Sequence, residues 1–481
     1  MSRNEMPSAT GVRIAGDNYQ FLHAWRACME ALYHRVINRS DNPTIAVGVE
    51  EPNVGIGDDV VRYRQKPPHS YTQVKYAVDH RTSVGLAYLD EERILRNLVA
   101  THKALTADGD PVEMRLATNR THDPGDVLMK DRDGRDGRLL PRAGQGSSQS
   151  VRGKARAMWA AAADTDERTL LSFLDDFHFD IAYEVLRLRE HTGLLMTANG
   201  LRADENAIDQ GVGWVSRKVI AGIRRLTLVD IEQAVIDLDL RAGSPWSTVS
   251  IATVRHDDLS DQAVVSIDWV DRIAGDSDWK RVVPEPPNTW EDLAREIRGI
   301  PAALGSSRRA IATGFMRQAT GFYLGSALRR VLGYEVGVRQ LDQLWTSTAA
   351  TDEYPVKVDK RSVGKGPDVA LIVNVSANRA GKAIEWIEGE GALPVGSIVT
   401  ATPEAGVGPG VIASPVAANS LAVALLDAAR DHATTGNLHL FLIGPIGLAV
   451  LLGHHWNRVA TTYVYEHVGG SEYTHAFTVE A

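Results

Sequence analysis

The chain has 481 residues, room for roughly three domains at the usual ~100–200 residues each. Hydrophobic residues at 44% and charged residues at 23% sit near the globular average, which excludes wholesale disorder, a collagen repeat and a long coiled coil. A formal charge of -9 argues against a generally polybasic nucleic-acid binder, and a single cysteine, Cys28, excludes an intrachain disulfide or a cysteine zinc cluster and fits a reducing, cytoplasmic setting.

In chain order, Met1 to Thr10 is polar and lacks the apolar run of an export signal. A helix is expected from Tyr19 to Arg35, with Phe21, Leu22, Trp25, Cys28, Met29 and Leu32 recurring on one face. Strand-like segments follow at Thr44 to Glu50, Asp59 to Arg64 and Tyr71 to Ala77, then a helix from Ala87 to Leu105 and a strand from Val112 to Thr118. Asn119 to Gly153 is rich in Asp, Gly, Arg, Ser and Pro and reads as an exposed loop. Its Asp131 to Gly137 stretch has neither the alternation nor the closing Glu of a calcium loop.

Thr165 to Ala242 reads as mainly helical, from Leu170, Leu171, Phe173, Leu174 and Phe177 onwards. Gly243 to Asn288 reads as short strands and turns ending in a proline-marked linker at Pro284, Pro286 and Pro287. The final third alternates strand and helix: strands at Ala310 to Thr313, Val369 to Val375, Leu438 to Ile443 and Arg458 to Glu466, helices at Ala319 to Leu332, Ala417 to Asp431 and Gly447 to Gly453. Such alternation predicts a parallel, Rossmann-like sheet covered by helices. The apolar run from Leu438 to Gly453 is interrupted by Pro445 and falls short of the ~20 residues of a spanning helix, so no membrane association is expected. The resulting division is 1–165, 166–288 and 289–481.

The strongest chemical signal is the series Gln20, Glu50, Asp59, Gln73 and Lys75. In Gln73-Val74-Lys75 a strand puts Gln and Lys on one face, roughly 6.6 Å apart at ~3.3 Å per residue, with Val74 on the other. Asp58-Asp59 brings carboxylates to the start of the neighbouring strand. Hard Mg2+ (or Mn2+) takes oxygen ligands, which Asp59, Glu50 and the Gln73 carbonyl offer, while Lys75 is suited to orient a nucleophile or stabilise developing negative charge. Asp58 competes with Asp59 as metal ligand, and Gln20 is either a supporting site residue or a helix-surface amide. The order helix, Glu50, Asp59 and Gln73-Val74-Lys75 resembles the PD-(D/E)xK restriction-endonuclease-like nucleases, with an amide at Gln73 where a carboxylate is commonest. That resemblance implies a restriction-endonuclease-like N-terminal core, extended by the helical segment, acting on double-stranded DNA. Arg62, Arg64 and Lys66 are candidates for a DNA channel, although alternating charges on a strand usually mark a solvated face.

The last third carries Ile311-Ala312-Thr313-Gly314-Phe315-Met316-Arg317, Phe322-Tyr323-Leu324-Gly325, Trp345, His439 to Pro445, Leu452-Gly453 and Val464-Tyr465-Glu466. Together, over about Thr289 to Ala481, these resemble the SAVED domain, a sensor module related to the CARF fold. The resemblance implies binding of a cyclic oligonucleotide, commonly a cyclic trinucleotide. Strand-to-helix turns offer N–H groups to phosphate, and one such turn runs from Val373 to Arg379. Arg317, Ser376 and Asn378 are the preferred ligand residues. Trp345, Lys357 and Pro445 are further candidates, each with a structural rival: a packed core ring, a solvated loop shared with Lys360 and Lys365, and a turn-shaping proline.

The two halves together resemble the CD-NTase-associated effectors of CBASS antiphage defence, in which a nuclease is fused to a SAVED module. The resemblance implies a messenger from a CD-NTase-type synthase, ligand-induced homo-oligomerisation and metal-dependent DNA cleavage. The alternatives are a messenger-independent restriction or repair nuclease and a non-enzymatic sensor on a decayed nuclease fold.

Overall fold

The computed structural model describes residues 8–37, 40–52, 54–79, 82–134, 136–340, 343–389, 391–433 and 436–481. Most of the N-terminal stretch Met1 to Thr10, and Arg135 of the calcium-like stretch, lie outside the described residues. The chain forms two units, Met1–Pro245 and Trp246–Ala481. Both are α/β.

The first unit runs α1 (Ala9–Ile37), β1 (Thr44–Val49), β2 (Val60–Arg64), β3 (His69–Lys75), α2 (Leu86–Glu91), α3 (Ile94–Leu105), β4 (Val112–Thr118), α4 (Val127–Lys130), α5 (Val151–Ala162), α6 (Glu167–Asp175), β5 (Phe177–Asp180), α7 (Val185–Ala198), α8 (Glu205–Ile220), β6 (Arg225–Thr227) and α9 (Leu228–Asp237). The six strands make one sheet ordered β5-β4-β3-β2-β1-β6. β1, β2 and β3 form an antiparallel meander, and β4 and β5 add in parallel.

One face of this sheet is apolar. Tyr71, Met114, Leu116, Phe177 and Phe179 pack there against Leu98, Trp159, Leu170 and Phe173 of the helices. The opposite face is charged and closed from water. Arg64 reaches Glu113 at 2.8 Å, Arg115 reaches Glu113 at 2.7 Å and Asp180 at 3.2 Å, and Arg62 lies 3.8 Å from Glu30 of α1. Strand alternation therefore aims Arg62 and Arg64 at internal carboxylates, so neither lies on a solvated face.

Three further expectations for the first unit need correction. The helix at 87–105 is broken between Glu91 and Ile94, where Arg93 takes a left-handed φ of 53°. The segment 119–153 is not a solvated loop, because Leu128, Met129, Leu139 and Ala143 are buried in the core and Asp126 caps α4 through the Leu128 and Met129 N–H groups. Within 165–242, Phe177 opens a strand instead of lying in a helix, and β5 and β6 are the edges of the first sheet, so this stretch is integral to the first unit.

The second unit runs β7 (Ser247–Ala252), β8 (Val265–Asp268), α10 (Trp290–Leu304), β9 (Arg309–Thr313), α11 (Gln318–Ala327), β10 (Glu335–Gln340), β11 (Gln343–Thr346), β12 (Val356–Ser362), β13 (Asp368–Asn374), α12 (Ala380–Glu388), β14 (Val395–Pro403), α13 (Pro415–His432), β15 (Leu438–Ile443), α14 (Ile446–His455), β16 (Thr462–Gly469) and β17 (Glu472–Val479). It holds two sheets, ordered β11-β10-β9-β7-β8 and β12-β14-β13-β15-β16-β17. Central pairs in both are parallel, as alternation predicts. Residues 246–288 belong here, and Pro284 pairs with Ile273 instead of lying in a linker. The helix expected to reach Leu332 ends at Ala327, and β17 is an additional final strand.

α11 and α14 cross at glycines. A Cβ on Gly325 would stand 2.1 Å from the Val450 carbonyl, and one on Gly453 would stand 2.0 Å from that of Phe322. Only glycine permits this approach. Among the described residues no helix is long and apolar enough to cross a membrane.

Candidate functional site

In the first unit, the chain enters β2 from Asp58-Asp59 and returns along β3, which ends Gln73-Val74-Lys75. The Asp59 Oδ2 accepts from the Val74 N–H at 2.7 Å and from the Gln73 side-chain amide. Gln73 is 4% exposed. Glu50 stands opposite Asp59, its N–H donating to the Asp59 carbonyl at 3.3 Å, with a left-handed φ of 49°. These links bring Glu50, Asp59, Gln73 and Lys75 to one end of three adjacent strands.

Burial pushes the Asp59 carboxyl up to about 6; the Val74 N–H and Lys75 oppose the rise and Asp58 adds to it. Burial also raises Asp58, with Glu50 contributing. This crowding of carboxylates in a partly dry site is what a divalent cation relieves. The fit is partial. The Glu50 carboxylate is engaged by Arg224, and among the described residues no group of three or more His, Cys, Asp or Glu side chains stands close enough to hold a metal. Gln20 lies on α1 with its Nε2 buried and unpartnered, and no hydrogen bond joins it to the other four. Arg224 escaped the sequence reading because its pairing with Glu50 spans 174 residues.

In the second unit, a cavity of about 340 Å3 is lined by Arg317, Gln318, Ser376, Arg379, Lys382 and Glu466, among others. It sits beyond the C-terminal ends of β13 and β15. β14 lies on one side of β13 and β15 on the other, so this crevice is where the strand order reverses, the usual ligand position in an open α/β sheet. Arg317 and Arg379 are the residues preceding α11 and α12. First-turn N–H groups and cations thus face one space, which suits an anion.

The sequence candidates separate accordingly. Arg317 and Ser376 line the cavity. The Arg317 Nε donates to the Arg281 carbonyl at 2.9 Å, and Nη2 donates to those of Asp278 and Trp279 at 3.0 and 3.1 Å. Pro445 precedes α14, between the lining residues Ile443 and Ile446. Asn378 is exposed on the turn before α12 and does not line the cavity. Trp345 is 4% exposed and packs over Gly447, so it is a core residue and not a stacking platform. Lys357 lies on the edge strand β12, paired with Asp359 at 3.1 Å. Arg379, Lys382 and Glu466 were not singled out as ligand residues, since the sheet order that gathers them is not visible in any local pattern.

Residues 293–479 match the family described as SAVED: SMODS-associated and fused to various effectors sensor domain. Over 299 residues the chain is 22% identical to CD-NTase-associated protein 4 of Enterobacter hormaechei subsp. hoffmannii (strain UCI 50), covering 60% of this chain and 53% of that one. The chain thus spans about half the length of that curated relative. Among solved structures it is similar to the Acinetobacter baumannii Cap4 SAVED/CARF-domain containing receptor with the cyclic trinucleotide 3'3'3'-cAAA, at 13% identity and a TM-score of 0.43 over 99% of this chain and 100% of that one. It is also similar to the Moraxella osloensis Cap4 receptor, at 14% identity and a TM-score of 0.39 over 96% and 99%. The C-terminal residues 293–479 thus match the SAVED sensor-domain family, and part of the chain is similar to CD-NTase-associated protein 4.

Proposed function

We propose that this protein is an antiphage effector of the CBASS type, a metal-dependent double-stranded DNA endonuclease switched on by a cyclic oligonucleotide from a CD-NTase-type synthase. One observation carries the reading. A SAVED domain with a basic cavity shares a chain with a unit whose β2–β3 hairpin sets Asp59, Gln73 and Lys75 side by side.

Asp59, Asp58 and the Gln73 carbonyl would hold Mg2+ or Mn2+, with Glu50 joining them only on release from Arg224, and the ion would supply Lewis-acid activation of a phosphodiester and its attacking water. Gln73 and the Val74 N–H fix the Asp59 carboxylate. Lys75 places its ammonium where charge develops on the phosphate. At the sensor, the arginines, Lys382 and the N-terminus of α12 would take the phosphates of a cyclic tri- or oligonucleotide. Activation requires the messenger to favour an active assembly over the resting protein, since equal affinity for both shifts nothing. A net charge of -9 disfavours DNA binding by single copies, and ligand-induced homo-oligomerisation would combine weak local contacts.

Plasmid cleavage with Mg2+ or Mn2+ across a panel of cyclic di- and trinucleotides tests this. Cleavage only with a messenger supports it, and messenger-independent cleavage indicates a restriction or repair nuclease. A second reading, a sensor on a decayed nuclease fold, is favoured by the Arg224 pairing that occupies Glu50 and by the neutral amide at Gln73. No cleavage anywhere in the panel would decide for it.

A further inference from the structure

The cavity in the second unit contains a group that a polyanion pocket does not need. Glu466, on β16, is 5% exposed yet lines the cavity together with Arg317, Arg379 and Lys382. Its Oε2 accepts from the Ala319 N–H at 3.0 Å, in the first turn of α11. A carboxylate therefore occupies the helix end that a ligand phosphate would otherwise use. Arg317 is the nearby cation that stabilises its charge, against a burial that pushes the carboxyl up to about 7.

Every linkage of a cyclic oligonucleotide carries a negative charge, and two anions facing each other in a buried site repel strongly. While Glu466 is ionised, the ligand can approach it favourably only where it presents a hydrogen-bond donor. A nucleotide has two kinds, the amino or imino N–H groups of a base edge and a free ribose hydroxyl.

Resting on the sensor reading above, we infer that Glu466 is a specificity-determining residue of the cavity: its carboxylate accepts a hydrogen bond from a base N–H or a ribose hydroxyl of the bound cyclic oligonucleotide. It thereby fixes which part of the messenger enters this end of the pocket and rejects ligands that bring only phosphate there. The Ala319 N–H holds one oxygen in place, so the acceptor is oriented before the ligand arrives.

The test is calorimetry on the full chain at pH 8, above the raised titration of Glu466 near 7. The probe is the tightest binder of a panel of cyclic di- and trinucleotides, beginning with 3′–5′-linked cyclic tri-adenylate. Two analogues of it are compared, one without exocyclic amino groups and one without free ribose hydroxyls. In the native protein one analogue should bind about tenfold or more weakly, the usual cost of losing a hydrogen bond to a charged group. The analogue affected identifies a base or a ribose donor. Glu466→Gln keeps an oxygen for Ala319 but turns an amide N–H toward the ligand, so it should weaken the parent messenger and bring parent and analogue to nearly equal affinity. Glu466→Asp, with the charge kept but withdrawn, should weaken the parent as well. Unchanged affinity ratios in Glu466→Gln would overturn the inference alone. No binding by any member of the panel would overturn the sensor reading and this inference with it.

Discussion

The Asp59 carboxylate accepts the backbone N–H of Val74 at 2.7 Å, which ties the entrance of β2 to the middle of the Gln73-Val74-Lys75 triplet. One hydrogen bond thereby sets the distance between the principal carboxylate and the two side chains flanking Val74. It also separates the two neighbouring carboxylates: the Asp59 side chain is oriented by β3, whereas Asp58 is held through its backbone carbonyl, which accepts from Glu51 at 3.0 Å.

The Lys75 backbone pairs with β4, but among the described residues its ammonium makes no hydrogen bond or ion pair, so the fold does not depend on its charge. Lys75→Ala should abolish DNA cleavage while leaving thermal stability and messenger affinity unchanged. Retained cleavage would remove the nuclease assignment.

Asp59→Asn preserves an oxygen for the Val74 N–H but removes a charge whose burial is unfavourable. Cleavage and metal binding should both be lost, with a melting temperature equal to or above that of the native protein. Asp59→Ala should lose cleavage and stability together, because the Val74 N–H is left without its acceptor, at a cost of about 1–3 kcal/mol. A drop in melting temperature for the Asn variant as large as that for Ala would mean that the carboxylate charge itself is structural.

The β3 triplet was legible because alternation in a strand is strict: once Val74 faces one side, Gln73 and Lys75 must share the other. The same rule could not say which side of β2 is dry, so Arg62 and Arg64 read as solvated although Glu30 and Glu113 claim them. Composition hid the order in 119–153, where four scattered apolar residues, Leu128, Met129, Leu139 and Ala143, supply the packing. The sensor cavity was partly legible. Arg317 and Ser376 sit in strand-to-helix turns, which sequence can mark, while Glu466 enters from β16 only because that strand lies beside β15. Trp345 shows the opposite limit, since a tryptophan that stacks on a base and one that fills a core look alike until Gly447 is found beneath it.

The charged layer under α1 predicts a pH signature. Burial would raise the Glu113 carboxyl, but Arg115, Arg64 and Arg62 outweigh it and hold Glu113 well below its usual value. Asp180 is likewise lowered, by Arg115 and His178 against its burial. Carboxyls with depressed folded values stabilise the protein fully above their unfolded values, near 4, and lose that contribution as pH falls through the folded values. Arg115→Met should cost about 3–5 kcal/mol at pH 7, because it takes the ion-pair partner from Asp180 and leaves Glu113 to Arg64 and Arg62. Denaturant titrations of both proteins between pH 7 and pH 3 should show the difference shrinking as the carboxyls protonate. A difference independent of pH would mean that Arg115 contributes through packing instead of charge.

Arg317 offers the sharpest test of the sensor, because its guanidinium already serves the protein. Three carbonyls, of Asp278, Trp279 and Arg281, accept from its Nε and Nη2, while the residue lines the cavity and precedes α11. Arg317→Ala should weaken messenger binding by about tenfold to a hundredfold, as expected for losing charge-assisted contacts, and should also release the 278–281 segment to proteolysis. Arg317→Lys keeps the charge but lacks the planar fork that satisfies several carbonyls at once. It should therefore retain more affinity than the alanine variant while showing the same protease sensitivity. Unchanged affinity in Arg317→Ala by calorimetry would take Arg317 out of the binding site, and protease sensitivity in that case would mark it as a latch for the 278–281 loop alone.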